Sequence, residues 1–303
     1  MRIVSLLPSL TVLVCALGRG ADLVGVTHEC DFPADIVTTL PRLTHSRIAT
    51  DASSAAIDAM VSEQGGHLYD LDASRLAELR PGLILTQAQC DVCAVNETTV
   101  RRVAAGLPGP PHVESVNPTD LAGVFAMFRR VGERLDARGD AESLIERFAA
   151  TAAEIARRRA GLAVPPTLLL EWTDPPFLSG HWNPELVALA GGREVLGRAG
   201  EPSRRATWAE VAAADPAVIL LSPCGFPLER TEAELPLLAA RPEWSALSAV
   251  RRGRVVLVDG SSYFSRPGPR LEASLRLAAV AIDPDRCGDL APPEGWRRAI
   301  GPE

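Results

Sequence analysis

Four of the six cysteines are candidates for metal binding: Cys30, Cys90, Cys93 and Cys224. Thiolates and imidazoles are the ligands that soft metals such as zinc prefer, and His28 and His181 occur in comparable polar segments. The single Cys-x-x-Cys pair is only half of a typical zinc pattern, and a lone cysteine also packs as a small apolar residue. Metal binding and simple burial are therefore two open interpretations of these thiols.

The chain has 7 Phe, 5 Trp and 2 Tyr, and half of these aromatic residues lie in five short segments. The segments are 27–32, 87–93, 172–182, 222–226 and 261–266. Flat apolar side chains cover the face of a large ring at low entropic cost, and a few polar groups then fix its orientation. The predicted ligand-binding residues are Phe32, Gln87, Gln89, Trp172, Phe177, His181, Trp182, Phe226, Tyr263, Phe264 and Arg266.

Each of these segments follows a predicted strand. Short apolar runs predict strands at 2–7, 23–26, 83–86, 112–116, 167–171, 218–221 and 255–258. Helical patterns alternate with them at 9–17, with Ser9 as a cap, and at 95–105, 119–135, 182–190 and 270–282. This alternation predicts α/β units with mostly parallel sheets, whose ligands bind beyond the carboxyl ends of the strands.

A long amphipathic helical pattern interrupts this alternation between residues 140 and about 162. Asp140 is a plausible N-cap, and Pro165 and Pro166 terminate the pattern. At ~1.5 Å per residue, ~20 residues span about 30 Å, which is roughly the diameter of one lobe. The predicted organisation is an N-terminal α/β lobe at 1–138, a connecting helix at 139–163 and a C-terminal α/β lobe at 164–303.

An internal echo supports two equivalent lobes. Residues 74–81 and 209–216 each read as a short helix that ends in a proline, and each leads into a buried strand. In both halves a loop that contains cysteine follows the strand. This pairing predicts that the two lobes share one α/β plan.

Composition excludes several classes of function. The net charge is −7, every basic residue is Arg, and there is no basic run of the kind that binds nucleic acid. The sequence contains no run of about 18 apolar residues, so it does not predict membrane insertion. Residues 3–17 are interrupted by Ser and Pro and lack a cleavage motif, so they predict a strand and a helix rather than an export signal. We therefore expect a cytosolic protein with reduced thiols; a start codon further upstream would instead make it periplasmic or surface-anchored.

Three stretches of the sequence resemble one protein family. They are 2–9 (RIVSLLPS) with 23–27 and 30–33, then 175–180 (PPFLSG) with 186–192, and 263–270 (YFSRPGPR). In order and spacing they resemble the cobalamin and iron-siderophore binding proteins, a class III group of substrate-binding proteins with a helical backbone. The resemblance covers residues 2 to about 282 and is closer to the cobalamin branch.

The resemblance implies two Rossmann-like lobes, one connecting helix, and a ligand held in a cleft between the lobes without catalysis. The implied small-molecule ligand is cobalamin or another corrinoid, and Phe32, Phe177, Tyr263 and Phe264 match positions of the family's binding loops. In such a fold Cys30, Cys90 and Cys93 are expected to face Cys224 across the cleft. There the thiols are candidates to bind a soft metal, the metal centre of the corrinoid, or a thiol-reactive ligand.

One departure from the family concerns its partner. Relatives that serve an importer carry one exposed Glu on each lobe, which docks against Arg of the membrane protein. The matching positions here are Ser74 and Ala209, while Glu78 and Glu210 are out of register and belong to another helix face. Importer docking is therefore not expected.

The leading hypothesis is a cytosolic corrinoid-binding protein that stores or hands over its ligand. The first alternative is the substrate-binding component of an ABC-type cobalamin or iron-siderophore importer with a missed export signal. The second is a thiol-rich metal sensor or enzyme, with Glu29, Asp31 and Asp91 as candidate acids or bases. Because no nucleophile elbow, Walker loop or dinucleotide fingerprint is present, the sequence predicts no enzyme.

Overall fold

The structure is a computed structural model that describes residues 1–48, 52–63, 68–88 and 95–299. The chain divides into two units. Unit 1 comprises Met1–Pro118 and Ala122–Leu144, and unit 2 comprises Thr119–Leu121 and Ile145–Glu303. Both units are α/β, as the alternation of strands and helices predicts.

Unit 1 begins with a strand and a helix formed by the apolar N-terminal run. Its strands are β1 (Ile3–Ser5), β2 (Leu23–Val26), β3 (Thr44–Ser46), β4 (Tyr69–Leu71), β5 (Leu83–Gln87) and β6 (His112–Val116). Its helices are α1 (Pro8–Ala16), α2 (Ala34–Val37), α3 (Ser54–Glu63), α4 (Ala73–Leu79), α5 (Glu97–Ala105), α6 (Leu121–Arg134, with Leu121 in unit 2) and the first part of α7 (Arg138–Arg158).

Four of these strands form a parallel sheet in the order β2-β1-β5-β6. Strand β5 is buried along its whole length, which is typical of a parallel strand that is covered on both faces. The strands β3 and β4 pair separately and antiparallel. Because the four strands are parallel, the loops that follow them leave from one side of the sheet, called here its carboxyl edge.

Unit 2 is larger and is built around β7 (Pro166–Trp172). The other strands are β8 (Phe177–Leu178), β9 (Arg193–Glu194), β10 (Arg204–Arg205), β11 (Val218–Leu221), β12 (Val255–Val258) and β13 (Trp296–Arg298). The helices are α8 (Asn183–Leu189), α9 (Trp208–Ala214), α10 (Leu228–Ala233), α11 (Leu235–Ala239), α12 (Pro242–Ala246), α13 (Ser248–Arg251), α14 (Leu271–Ile282) and α15 (Pro284–Cys287), with one-turn 3₁₀ helices at Gly20–Asp22 in unit 1 and Gly288–Leu290 here.

The centre of this sheet is parallel and its flanks are antiparallel. The strands β7, β11 and β12 run parallel side by side, and β9 joins the start of β7. A turn at 173–176 reverses the chain, so that β8 returns antiparallel to β7, and β13 pairs antiparallel with β12. The core packs Leu168, Leu170, Ile219 and Leu221 against helix residues such as Trp208.

Helix α7 is fixed within each unit by separate contacts. In unit 1, Gly132 of α6 lies so close to Ala141 that a Cβ at 132 would come within 2.7 Å of the alanine Cβ. In unit 2, Arg159 is buried, and its guanidinium donates to Asp283 at 3.0 Å and to the Gly191 carbonyl at 3.2 Å. The predicted long helix is present as α7, although its ends differ from the prediction.

Most predicted helix boundaries differ from the structure by one or more residues, and three of the differences have a clear local reason. Helix α7 starts at Arg138, so Asp140 lies in the first turn, where its charge still favours the helix dipole, rather than at the N-cap. The same helix ends at Arg158, and Gly161 with a φ of 76° turns the chain before the prolines. Ser9 does not cap α1, because Pro8 occupies the first helical position and Leu7 precedes it.

Within the described residues, no helix is both long enough and apolar enough to cross a membrane.

Candidate functional site

The carboxyl edge of the unit 1 sheet carries two predicted ligand-binding residues. Phe32 follows β2 and is 44% exposed, so part of its ring faces solvent. Gln87 is the last residue of β5, and it is buried. Three further predicted residues after β5 lie outside the described residues: Gln89, Cys90 and Cys93. Phe32 is therefore the predicted residue whose side chain is most accessible to a ligand in the described part of unit 1.

Cys30 lies at the same edge but is buried in a small apolar cluster with Val26 and Val37. Its sulfur is 3.0 Å from Thr11 Oγ1. Among the described residues, no group of three or more His, Cys, Asp or Glu side chains is arranged to hold a metal ion. A metal site that includes Cys90 and Cys93 stays a prediction, because those two residues are not described.

The ring of His28 is held by its neighbours in unit 1. Thr44 Oγ1 lies 2.6 Å from Nδ1, and Glu29 Oε1 lies 3.0 Å from Nε2. The Glu29 carboxylate is close enough to form an ion pair with a protonated ring, but it forms no hydrogen bond with Nε2. The Tyr69 ring packs at 5.4 Å between centroids. Both ring nitrogens of His28 thus already have a close oxygen neighbour.

In unit 2, an aromatic and basic surface forms where β7 and β11 end. Trp172 is half-buried and meets Phe226 edge to face, with 4.8 Å between ring centroids. The guanidinium of Arg230 lies over the Phe226 ring, 3.8 Å from its centroid. Phe177 is half-buried, and the guanidinium of Arg205 lies 5.7 Å from its centroid. Phe226 is itself buried, so the accessible rings here are those of Trp172 and Phe177. Their apolar faces can contact a flat ligand.

Three other predicted aromatic residues of unit 2 are buried by packing inside the unit. Phe264 has no exposed surface, and its carbonyl accepts a hydrogen bond from Trp182 Nε1 at 2.8 Å. Tyr263 is buried too, and its hydroxyl donates to the Glu294 carbonyl at 3.0 Å. These rings support the loop that follows β12, while Arg266 in the same loop is half-buried.

His181 has an unusual backbone conformation just before helix α8. Its φ is +53°, which is uncommon for a residue other than glycine. Two backbone hydrogen bonds hold it there: the His181 amide donates to the Glu201 carbonyl at 2.7 Å, and the Gly200 amide donates to the His181 carbonyl at 3.0 Å. Burial lowers the pKa of the imidazole, and its ring packs on Trp182 at 5.5 Å. The imidazole is therefore neutral at pH 7.

Two half-buried carboxylates, those of Glu171 and Glu194, fix the segment around His181, and sequence reasoning missed their role. Glu171 accepts hydrogen bonds from Ser203 Oγ at 2.5 Å and Asn183 Nδ2 at 2.7 Å. Glu194 accepts from several backbone amides, including Leu169 at 3.1 Å. Burial raises the pKa of both carboxyl groups, and these hydrogen bonds oppose that shift. The one signal in the sequence is a glutamate that directly follows the apolar run 168–170 of β7.

Cys224 lies at the carboxyl edge of unit 2 and is exposed. Its amide donates to the Glu171 carbonyl at 2.9 Å, which places the thiol beside the end of β7. The neighbouring Pro223 packs so tightly on Gly260 that residue 260 has no room for a side chain. The predicted position of Cys224 at a strand end is thus observed, and its role as a metal ligand stays a prediction.

The echoed helices are equivalent in detail. Ser74 and Ala209 are each the second residue of their helix, α4 or α9, and both are exposed. Each helix ends in a left-handed residue, Arg80 at φ 44° or Asp215 at φ 36°, followed by proline. Glu210 is engaged locally, because its carboxylate forms a capping box with Thr207.

Comparison with known proteins agrees with this architecture. A family model described as periplasmic binding protein matches residues 3–261. The fold is similar to that of a periplasmic heme binding protein from Pseudomonas aeruginosa, at 21% identity and a TM-score of 0.70, covering 94% of this chain and 93% of that one. It is also similar to a periplasmic heme-binding protein from Roseiflexus sp. RS-1, at 23% identity and a TM-score of 0.70, covering 93% and 97%.

A third similar structure is a periplasmic vitamin B12 binding protein of Vibrio cholerae, at 17% identity and a TM-score of 0.67, covering 93% of this chain and 96% of that one. No curated protein matches the chain. At these identities the solved structures show the fold alone. The family model spans most of the sequence, and the resemblance of the three sequence stretches points to the same group. The chain belongs to the periplasmic binding protein family.

Proposed function

We propose that the protein is a non-catalytic binding protein for cobalamin or a related corrinoid. The observation that carries the proposal is the set of accessible aromatic rings at the carboxyl edges of the two sheets. Phe32 serves this role in unit 1, and Trp172 and Phe177 serve it in unit 2. Ligands of open α/β sheets bind at this edge, and aromatic faces suit a large, flat, partly apolar macrocycle.

Support for a corrinoid comes from two sources. The sequence stretches at 2–33, 175–192 and 263–270 resemble the cobalamin branch of the family most closely, and one solved structure with the same fold is a vitamin B12 binding protein. Other similar structures are heme-binding proteins, so heme is the competing ligand that any experiment must include. Both ligands are flat macrocycles with a central metal, and accessible aromatic faces alone do not distinguish them.

The proposal includes a cytosolic role in holding or transferring the ligand, without delivery to an importer. It rests on the exposed second positions of α4 and α9, which carry Ser74 and Ala209 instead of carboxylates. The out-of-register Glu210 is engaged in its own capping box. Cell fractionation of the native host with an antibody to the protein tests the location directly. A signal confined to the periplasm or cell surface would contradict this part of the proposal.

Titration calorimetry tests the ligand. Purified protein is titrated with cyanocobalamin, dicyanocobinamide, heme and a ferric siderophore in parallel. We expect one corrinoid to bind with one molecule per chain, and heme and the siderophore to bind more weakly. Leu189→Ala is a suitable control variant, because Leu189 is an exposed apolar residue at the end of α8, where the chain leads to β9 beside the start of β7 rather than its carboxyl end. Binding of heme alone, or of the siderophore alone, would refute the corrinoid assignment.

A further inference from the structure

The position of His181 suggests more than a packing role. His181 lies in the loop between β8, which runs antiparallel to β7, and helix α8. It immediately precedes Trp182, whose indole donates to the Phe264 carbonyl in the loop that follows β12 at the carboxyl edge of the unit 2 sheet. The imidazole therefore belongs to the edge at which a ligand of this unit would bind. No side-chain hydrogen bond of His181 is present within the described residues.

The backbone of His181 is held in a costly conformation. A left-handed φ is strained for a residue other than glycine, and such residues concentrate at functional sites. Here the hydrogen bonds with Glu201 and Gly200 maintain the conformation, and the Glu171 carboxylate holds Gly180 and Asn183 on either side. A glycine at 181 would adopt the same φ without strain.

Two other side chains that could bind a metal, those of His28 and Tyr263, have close oxygen neighbours, whereas Cys224 is a competing candidate. Both nitrogens of His28 face oxygen atoms, and the hydroxyl of Tyr263 donates to a carbonyl. The imidazole of His181 is half-buried, and burial lowers its pKa, so a nitrogen lone pair is available at pH 7. Neutral imidazole is a common ligand of transition metals.

We propose that His181 coordinates the cobalt of the bound corrinoid as an axial ligand. The inference rests on the proposed corrinoid function and adds one coordination bond, between an imidazole nitrogen of His181 and the cobalt. The imidazole nitrogen donates its lone pair to Co(III), and the water that occupied this position leaves. Cobalt keeps its oxidation state, and the neutral ring keeps its proton on the other nitrogen, so neither an electron nor a proton is transferred.

Absorption spectra with two corrinoids test the bond separately from binding. Aquacobinamide has exchangeable axial waters, whereas cyanide and the attached base occupy both axial positions of cyanocobalamin. We expect aquacobinamide to change its spectrum to that of an imidazole complex on binding, while cyanocobalamin binds without this change. His181→Gly is the main variant, because glycine adopts the same φ without strain and therefore preserves the fold.

The variant should still bind cyanocobalamin and should lose the imidazole spectrum with aquacobinamide. Free imidazole added to His181→Gly should restore that spectrum, which a purely structural role would not allow. His112→Gly is the control, because His112 begins β6 at the opposite end from the carboxyl edge and should retain the wild-type spectrum.

Different failures have different meanings. If no corrinoid binds to the wild type, the proposed function itself is wrong. If corrinoids bind but aquacobinamide shows no imidazole spectrum, the function stands and the coordination is refuted. A spectral change of aquacobinamide that is lost in Cys224→Ser and retained in His181→Gly would overturn the inference in favour of the thiol. Loss of cyanocobalamin binding by a folded His181→Gly would also overturn it, because the residue would then act by contact alone.

Discussion

Individual aromatic residues in this protein differ in burial, and we propose that they differ in function accordingly. Phe177 begins β8 and Phe264 follows β12, and the sequence resemblance assigns both to binding loops of the family. Phe177 is half-buried beneath Arg205, whereas Phe264 is completely enclosed. A ring that is accessible can contact a ligand, and a ring that is enclosed stabilises the fold.

Phe177→Ala and Phe264→Ala should therefore have opposite effects. The first should weaken corrinoid binding by about 1–3 kcal/mol, the scale of a buried aromatic contact, with little loss of stability. The second should lower the free energy of unfolding by about 3–5 kcal/mol, because it leaves a cavity in the core. Calorimetry and urea denaturation of each variant measure the two quantities. If Phe177→Ala destabilises the protein severely and leaves affinity intact, its ring is part of the core instead.

The carboxyl group of Glu171 should make stability depend on pH. Burial raises its pKa in the folded protein, whereas the pKa of the unfolded group is about 4.3. At a pH between the unfolded and the folded pKa, the folded state holds the proton and the unfolded state does not. The free energy of unfolding therefore decreases as pH rises through this window, and the contribution is lost above the folded pKa.

Glu171→Gln has no proton to lose at this site. Relative to the wild type, its stability should rise as pH increases through the same window, as measured by urea denaturation at successive pH values. Glu78→Gln is the control, because Glu78 is exposed on α4 and should leave the pH dependence unchanged. Parallel curves for Glu171→Gln and wild type would show that the carboxylate is not perturbed as proposed.

At the scale of elements, the echoed helices α4 and α9 begin and end with the same local structure. Each is capped at its start by a side chain, Asp72 or Thr207, that accepts from a backbone amide. Each ends in a left-handed residue, because the chain must turn sharply before the proline and enter a buried strand. The conformation fits glycine best, but Arg80 and Asp215 occupy it.

Arg80→Gly should therefore stabilise unit 1. Removing the left-handed strain should raise the free energy of unfolding by about 1–2 kcal/mol. The greater conformational freedom that glycine gives the unfolded chain should lower it by about 0.4–1 kcal/mol. We expect a small net increase in the midpoint of thermal unfolding. Arg80→Ala is the matched control, since it removes the same side chain but keeps the strain. An equal increase in both variants would attribute the effect to the arginine side chain rather than to the backbone.

At the scale of the whole molecule, the surface positions of Ser74 and Ala209 bear on the choice of partner. They occupy equivalent, exposed positions on the two units, and neither presents a carboxylate. Relatives that serve an importer are expected to dock there through glutamates. We therefore propose that a partner with a basic surface is not recognised at these two positions, because neither offers a negative charge.

Fused to an export signal, the unaltered protein should fail to support corrinoid uptake through a related importer. Ser74→Glu combined with Ala209→Glu should improve uptake, because both carboxylates would then face the importer's arginines. Growth of a corrinoid-dependent reporter strain measures the effect. A control with Ser74→Gln and Ala209→Gln separates charge from size. Efficient uptake by the unaltered protein would disprove the prediction.

Local patterns in the sequence determined most of the architecture. The strands at 23–26, 218–221 and 255–258 agree with the structure to the residue, because short apolar runs bounded by polar segments permit little else. The predicted strand at 112–116 agrees as well, although its sequence is mixed. The echo between 74–81 and 209–216 was equally visible, since helix, proline and strand are all local signals. The placement of five candidate segments after strand ends followed from these runs.

Tertiary structure decided which of the candidate side chains are accessible. Phe32, Tyr263 and Phe264 look alike in the sequence, yet only the first is exposed. The difference arises from distant partners: Trp182 donates to the Phe264 carbonyl across 82 residues, and Tyr263 reaches the Glu294 carbonyl across 31. No sequence window of helical or strand length contains such pairs, so local periodicity carries no information about them.

The same physical reason applies to the charged groups. A glutamate at the end of β7 gives no sign in the sequence of its three hydrogen-bond donors, which come from the segment 180–203 after the chain has turned back. The left-handed φ of His181 likewise depends on the turn at 198–201. Burial, pKa and strain are properties of packing, and packing joins residues that the sequence separates.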